Sequence, residues 1–226
     1  ANAQPRAASR TTRAGGRPRG MDTSLIGAPD LEALLGQLLV NNSQQIRDAE
    51  AALKRLLAEP AFQCDLLHRL RDSANVQVRQ LAAVLMRRRV GAHWSKFQPG
   101  VQNQFKACLL HQLELEHEKS VRRCTADVVC VIAKHALPKG EWQELYGYVV
   151  QCAQDARSQQ REVAMQLLAS LLEHEEVFEC LQPHLEYLRG LLQRALGDAE
   201  AAVSLSALRA TGAWTQAAFN EDDAKL

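Results

Sequence analysis

Two short strings invite a test for metal chemistry. His174-Glu175-Glu176-Val177-Phe178 and His117-Glu118-Lys119-Ser120-Val121 both begin like the zinc-binding helix HExxH, and both lack its second histidine. His111 and His117 stand six apart, a spacing that does not place two side chains on one helical face. The residues therefore predict no metal and no cofactor. Gly15-Gly16 and Gly140 lie in no GxxxxGK or GxGxxG context, so no phosphate-cradling loop is expected. A nucleophilic Cys64, Cys124 or Cys130 would need a fixed base beside it, and no local signature supplies one. The expectation is a protein that is not an enzyme.

The six cysteines, at 64, 108, 124, 130, 152 and 180, form no CxxC pair, and each sits in an apolar helical pattern. They are expected as reduced core residues rather than a disulfide framework. Arg87-Arg88-Arg89 lacks the interleaved aromatics of a nucleic-acid platform and is expected at a helix end, against the negative end of the dipole.

The elements that position these residues emerge from composition and repetition. The chain is 46% hydrophobic and 5% aromatic, with Leu and Ala abundant, which favours an all-α fold. No run of 18 apolar residues occurs, so no membrane-spanning helix is expected. Residues 1–20 hold Arg6, Arg10, Arg13, Arg17 and Arg19 and no acid. With 27 basic and 26 acidic residues in the whole chain, the remainder is net acidic, which argues against direct nucleic-acid binding. Residues 1–22 are read as a disordered basic leader without the hydrophobic centre of a secretory signal, residues 1–20 being either an extension of the chain or sequence upstream of a natural start at Met21.

Five segments then align without gaps, opening at Ile46, Val78, Val121, Gln160 and Ala201. Four carry arginine at the second place (Arg47, Arg79, Arg122, Arg161), and all carry Leu or Val at the eighth. Each opens an amphipathic helix; Val78, Leu81, Ala82 and Leu85 share one face, as do Ala164, Leu167, Leu168 and Leu171. A partner helix precedes each, carrying Leu31 to Leu38, Phe62 to Leu70, Val101 to Leu109, Trp142 to Val149 and Phe178 to Leu188.

The breaks inside the pairs are short and polar: Asn41-Asn42-Ser43, Asp72 to Asn75, Glu116 to Glu118, Asp155 to Ser158 and Gly197-Asp198. Short breaks make paired helices antiparallel, and their Asn, Ser and Asp can cap the following helix. The period of about 40 residues is that of HEAT and armadillo arrays, not of TPR or ankyrin. The expected fold is an all-α, HEAT-repeat (ARM-like) α-solenoid of about five antiparallel hairpins over 23–214. No third helix per unit is foreseen, and 215–226 is expected to be an irregular tail. Without a polar capping helix, either the chain is part of a longer array or it dimerises through that end. The repeated arginines, Arg47, Arg79, Arg122 and Arg161, are expected to form a structural ladder, each reaching the polar turn of the next unit.

Residues 30–97 resemble the N-terminal domain of the importin-beta superfamily of nuclear transport receptors, placed at about 45–115. The resemblance rests on Gln45-Ile46-Arg47-Asp48-Ala49-Glu50 leading to Leu53 and Leu56-Leu57, then Val78-Arg79-Gln80-Leu81-Ala82-Ala83-Val84-Leu85, Arg87-Arg88-Arg89 and Trp94. Within the superfamily this stretch is most similar to the importin four class, carriers of core histones and ribosomal proteins. The likeness implies binding of the GTP form of the small GTPase Ran by the second helices of the first repeats. It also implies contact with phenylalanine-glycine nucleoporins and cargo, and residence in cytoplasm, nucleus and nuclear pore. Asp48, Glu50, Arg79, Gln80, Arg87 and Asp127 are the residues expected in the GTPase-contact region. A scaffold subunit without a GTPase partner is the alternative, and the motif at 45–97 favours the receptor.

Overall fold

A computed structural model describes the backbone of residues 28–224 and the side chains of 30–219. The leader expected at 1–22 lies outside these described residues. The elements run α1 (Ala28–Gln37), α2 (Ser43–Leu56), α3 (Phe62–Asp72), α4 (Val76–Trp94), α5 (Pro99–Leu115), α6 (Lys119–Ala136), α7 (Glu144–Ala153), α8 (Ser158–Leu172), α9 (Glu175–Leu181), α10 (Leu185–Leu196) and α11 (Ala201–Ala224). Short 3-10 turns cover Leu137–Lys139 and Gln182–His184. No strand occurs among the described residues.

The helices pair as antiparallel hairpins: α1/α2, α3/α4, α5/α6, α7/α8 and α10/α11. Each aligned segment begins in the first turn of a second helix, α2, α4, α6, α8 or α11. Polar residues in the breaks start these helices. Asn42 accepts from the backbone N–H groups of Gln44 and Gln45, and Asn75 from that of Gln77. Pro99 opens α5 at a position where its missing N–H costs nothing.

Apolar spacing decides the packing. Phe62, Leu66, Leu67 and Leu70 are all buried, as are Ala164, Leu167, Leu168 and Leu171. In α4, Val78, Ala82 and Leu85 are buried while Leu81 is half-buried. The second helices α4, α6, α8 and α11 pack side by side, whereas the first helices meet closely only at α1–α3 and α7–α10. A stack whose axes are closer in one layer curves toward that layer, so the second helices line the inner face. Gly91 lets α4 approach α6; a Cβ there would stand 2.8 Å from His135 Nε2 and 3.2 Å from Val131 Cγ1.

Four expectations change. Arg87-Arg88-Arg89 is not at a helix end, because Val90 and Trp94 extend the buried face of Met86 by another two turns. The partner helix expected from Phe178 to Leu188 is broken at Pro183 into α9, a 3-10 turn and α10, since proline cannot donate within a helix. The fifth unit thereby gains the short extra helix that was not foreseen. The tail expected to be irregular from 215 continues α11 through Ala224; Ala217 and Ala218 pack on the core, and Thr215 bonds back to the Thr211 carbonyl. All six cysteines are free, but Cys180 is exposed on the outer side of α9, and Cys108 and Cys124 are only half-buried.

Candidate protein-binding surface

One edge of the stack is built by arginines and polar turns. Arg79 donates from Nε and Nη2 to both carboxylate oxygens of Glu116, at 2.9 and 3.0 Å, and from Nη1 to the carbonyls of Ser73 and Ala74. Arg161 repeats the arrangement: Asp198 at 2.7 and 3.0 Å, and the carbonyls of Asp155 and Ala156. Each guanidinium thus closes the turn before its own helix and clamps the turn of the next unit. Arg122 is buried and bonds the carbonyls of Glu116 and His117, its own turn. Arg47 departs from the expectation: it is exposed and bonds only Gln44, because the turn of the next unit is taken by Glu32, which accepts from Ser73 and Arg69.

The acids in this ladder are held ionised. Burial pushes the Glu116 carboxyl up, but hydrogen bonds from Arg79, the Glu118 N–H and Gln112 outweigh it and hold the group below the usual carboxylate range. Arg161 and the Glu200 N–H do the same for Asp198. Three of the pairs, Arg69–Glu32, Arg79–Glu116 and Arg161–Asp198, are separated by 37 residues. In Arg79–Glu116 and Arg161–Asp198 the acid follows the arginine and in Arg69–Glu32 it precedes it, so the forward offset shared by the first two is the sequence signal for the ladder's acceptors.

The inner face is polar and crossed by ion pairs between neighbouring second helices. Arg87 of α4 meets Asp127 of α6 at 2.7 Å, and Lys119 of α6 meets Glu162 of α8 at 2.8 Å. Gln166 donates to the Arg123 carbonyl at 3.3 Å. Gln80 is half-buried beside Cys124, whose thiol is pushed up by burial and by Asp127. The face continues past Arg123, Glu162 and Gln166 to Arg209 and exposed Leu205 of α11, around a small cleft of about 100 Å³.

Of the six residues expected at a GTPase contact, the structure brings Gln80, Arg87 and Asp127 together on this face. Arg79 faces the polar edge, engaged with Glu116. Asp48 and Glu50 are exposed on α2, with Asp48 accepting from Gln44, and neither forms a hydrogen bond or ion pair with the other four. Lys119, Arg123, Glu162 and Arg209 belong to the face and were not anticipated, because their exposure follows from how the helices rotate against one another.

The opposite layer holds a groove of about 760 Å³ between α5 and α7, with Leu110, Trp142 and Tyr148 among its walls. Lys106 closes one end by donating to the Glu141 carbonyl at 2.6 Å. Among the described residues, no group of three or more His, Cys, Asp or Glu is placed to hold a metal ion, and no helix is long and apolar enough to cross a membrane.

Comparison with known proteins bears on the same hairpins. The family described as Importin-beta N-terminal domain matches residues 49–113, and that described as IPO5-like, TPR repeats matches residues 117–225. The chain is 37% identical over 145 residues to the probable importin subunit beta-4 of Schizosaccharomyces pombe, covering 64% of this chain and 14% of that one. It is 31% identical over 169 residues to importin-4 of Homo sapiens, covering 74% of this chain and 15% of that one. The chain belongs to the importin-beta family.

Solved structures agree on the fold. The chain superposes on importin beta in an ammonium sulfate condition with a TM-score of 0.75 at 18% identity, covering 85% of this chain and 24% of that one. It superposes on Kap121p bound to RanGTP with a TM-score of 0.67 at 18% identity, covering 84% of this chain and 17% of that one. This importin-beta family chain spans about one-seventh of the length of the curated relatives it matches. The helical units here follow the HEAT period, although the second matching family is described by TPR repeats.

Proposed function

We propose that this chain is the GTPase-sensing N-terminal part of a nuclear import receptor, and that its inner face binds the GTP form of Ran. The observation that carries the reading is the match of 49–113 to the Importin-beta N-terminal domain, which takes in α4 with Gln80 and Arg87; Asp127, the partner of Arg87, follows on α6. The likeness in fold to Kap121p, a protein solved bound to RanGTP, supports it. An extended array of hairpins offers a long curved surface suited to a protein partner. The ion pairs that cross the inner face can be exchanged for pairs with that partner. Occupancy by Ran and by cargo is mutually exclusive in this reading, because the two ligands favour different curvatures and are negatively coupled.

Nucleoporins are the second proposed partner. The groove between α5 and α7, with its apolar walls, is the place on the outer layer for a phenylalanine side chain, and Kap121p has been solved bound to Nup53p. Cargo such as histones or ribosomal proteins follows from the likeness to importin-4, and shuttling between cytoplasm and nucleus follows from the same role.

Hydrogen exchange of the full chain with and without Ran loaded with a non-hydrolysable GTP analogue tests the surface. Protection is expected on the exposed sides of α4 and α6. Protection confined to α3 and α5 would refute the inner-face assignment. No change on any helix would favour the scaffold reading.

A further inference from the structure

The edge opposite the arginine turns carries an open groove of about 590 Å³ between the end of α6, the α8–α9 turn and the second half of α11. Its floor is apolar, with Leu172, Phe178 and Ala217. Its rim carries Glu173, Glu175, Glu176 and Glu179, all exposed. None of these four carboxylates has an ion-pair partner within 4 Å among the described residues. Elsewhere, Glu32, Glu116, Asp127, Glu162 and Asp198 each meet a cation. Among the described residues Lys134 is the one lysine or arginine lining the groove, and burial together with Lys134 holds the His174 imidazole below its usual range, leaving it neutral at pH 7. The other links on this edge carry little acid: Glu59 in the first, none in 95–98, and Glu141 beside Lys139 in the third.

The chain itself contains the complementary segment. Residues 1–20 hold five arginines and no acid, and they precede α1, which begins at Ala28. Because every hairpin is antiparallel, first helices begin on the edge where second helices end. The start of α1 and the groove therefore share one edge. From the α1/α2 hairpin to α8 is three hairpin spacings, roughly 30 Å at 8–10 Å per packed helix. Twenty extended residues reach up to about 70 Å, so covalent geometry permits the approach. A tether of this length holds the two at an effective concentration in the millimolar range, at which individually weak pairs suffice.

We propose that the arginine-rich segment 1–20 docks in cis on the glutamate-rimmed groove at the α8–α9 turn and occupies it against other arginine-rich segments. The arginine stems cover the apolar floor while their heads meet the rim.

Limited trypsin digestion of the full 226-residue chain tests this, with cleavage after Arg6, Arg10, Arg13 and Arg19 followed bond by bond by mass spectrometry; the Arg17–Pro18 bond resists trypsin. At low salt these bonds are expected to be cut roughly threefold or more slowly than in a synthetic 1–20 peptide. The variant E173Q/E175Q/E176Q/E179Q, or about 0.5 M salt, is expected to restore the peptide's rate. A control, E144Q/E186Q on the first helices, keeps the protection. Unchanged cleavage at sites within 30–219 shows that each variant is folded. Equal rates in the parent chain and the peptide overturn the proposal. Protection that survives the quadruple substitution also overturns it, because the segment then lies elsewhere. Protection that grows with protein concentration assigns the groove to a second copy and overturns docking in cis.

Discussion

Replacing Arg79 by alanine removes four hydrogen bonds at one stroke. Two run to Glu116 and two to the turn carbonyls of Ser73 and Ala74. The Arg79 side chain is 14% exposed and that of Glu116 is 4% exposed, so the pair is largely withdrawn from water. The substitution leaves a buried carboxylate with only the Gln112 amide and the Glu118 N–H as donors. Breaking such a pair from one side costs about 3–5 kcal/mol. Water can reach the freed carbonyls through the partly exposed arginine site, which places the expected loss near 3 kcal/mol, the lower end. Arg47→Ala is the internal control, since exposed Arg47 bonds only Gln44; it should cost under about 0.5 kcal/mol. Urea unfolding followed by far-ultraviolet circular dichroism measures both. A double-mutant cycle with Glu116→Gln should return a coupling of at least about 1 kcal/mol. Arg79→Ala within about 0.5 kcal/mol of Arg47→Ala would refute the argument that the ladder joins adjacent units.

Gly147 and Gly190 lie inside helices with open space where a Cβ would stand, so Gly147→Ala and Gly190→Ala should each raise stability by about 0.5–1 kcal/mol. Gly91→Ala should gain less than either, because its Cβ must displace His135 and press on Val131; a gain as large would contradict the close α4–α6 approach. Thiol labelling at pH 8 should modify Cys180 first, since it is exposed, and spare Cys130, whose thiol burial pushes up to about 12, until the chain unfolds. Acidification should destabilise in two stages. His68, His135 and His174 are all lowered, first by burial, from an ordinary 6.5, so the unfolded chain takes up protons first and stability falls as pH drops below about 6.5. The depressed carboxylates Glu116 and Asp198 stabilise fully above their ordinary values of 4.5 and 3.8, and that contribution is lost as pH falls through their folded values. Urea midpoints from pH 7 to 3 should show both declines, and Glu116→Gln should flatten the second.

The hairpins were legible in the sequence because burial is periodic. Leu66, Leu67 and Leu70, or Leu167, Leu168 and Leu171, can share a face only in a helix, and polar breaks between such runs leave few alternatives to an antiparallel pair. Pro183 breaks the run Phe178 to Leu188, whose apolar spacing is otherwise continuous, so periodicity by itself does not show the break. The helix through 215–224 is illegible for a different reason. Its small residues Ala217 and Ala218 carry a weak apolar signal, yet they suffice to pack on the core. The candidate site was less legible. That Arg79 and Arg161 recur was plain, but their acceptors Glu116 and Asp198 lie a full repeat away. The inner-face pairs Arg87–Asp127 and Lys119–Glu162 depend on the rotation of α4, α6 and α8 about their own axes. No single helix encodes that rotation; it is fixed only when the buried faces interlock.

The proposed function requires that the inner face of these hairpins distinguish the nucleotide state of a GTPase. Isothermal titration of the full chain with Ran, loaded in turn with a non-hydrolysable GTP analogue and with GDP, tests it most directly. Binding to the GTP form is expected to be at least about a hundredfold tighter than to the GDP form, a difference of about 2.7 kcal/mol. Charge reversal at Arg87 together with Asp127→Lys should weaken the GTP complex while leaving the circular dichroism spectrum unchanged. Equal affinity for the two forms, or heat from neither while the chain is fully helical, would contradict it.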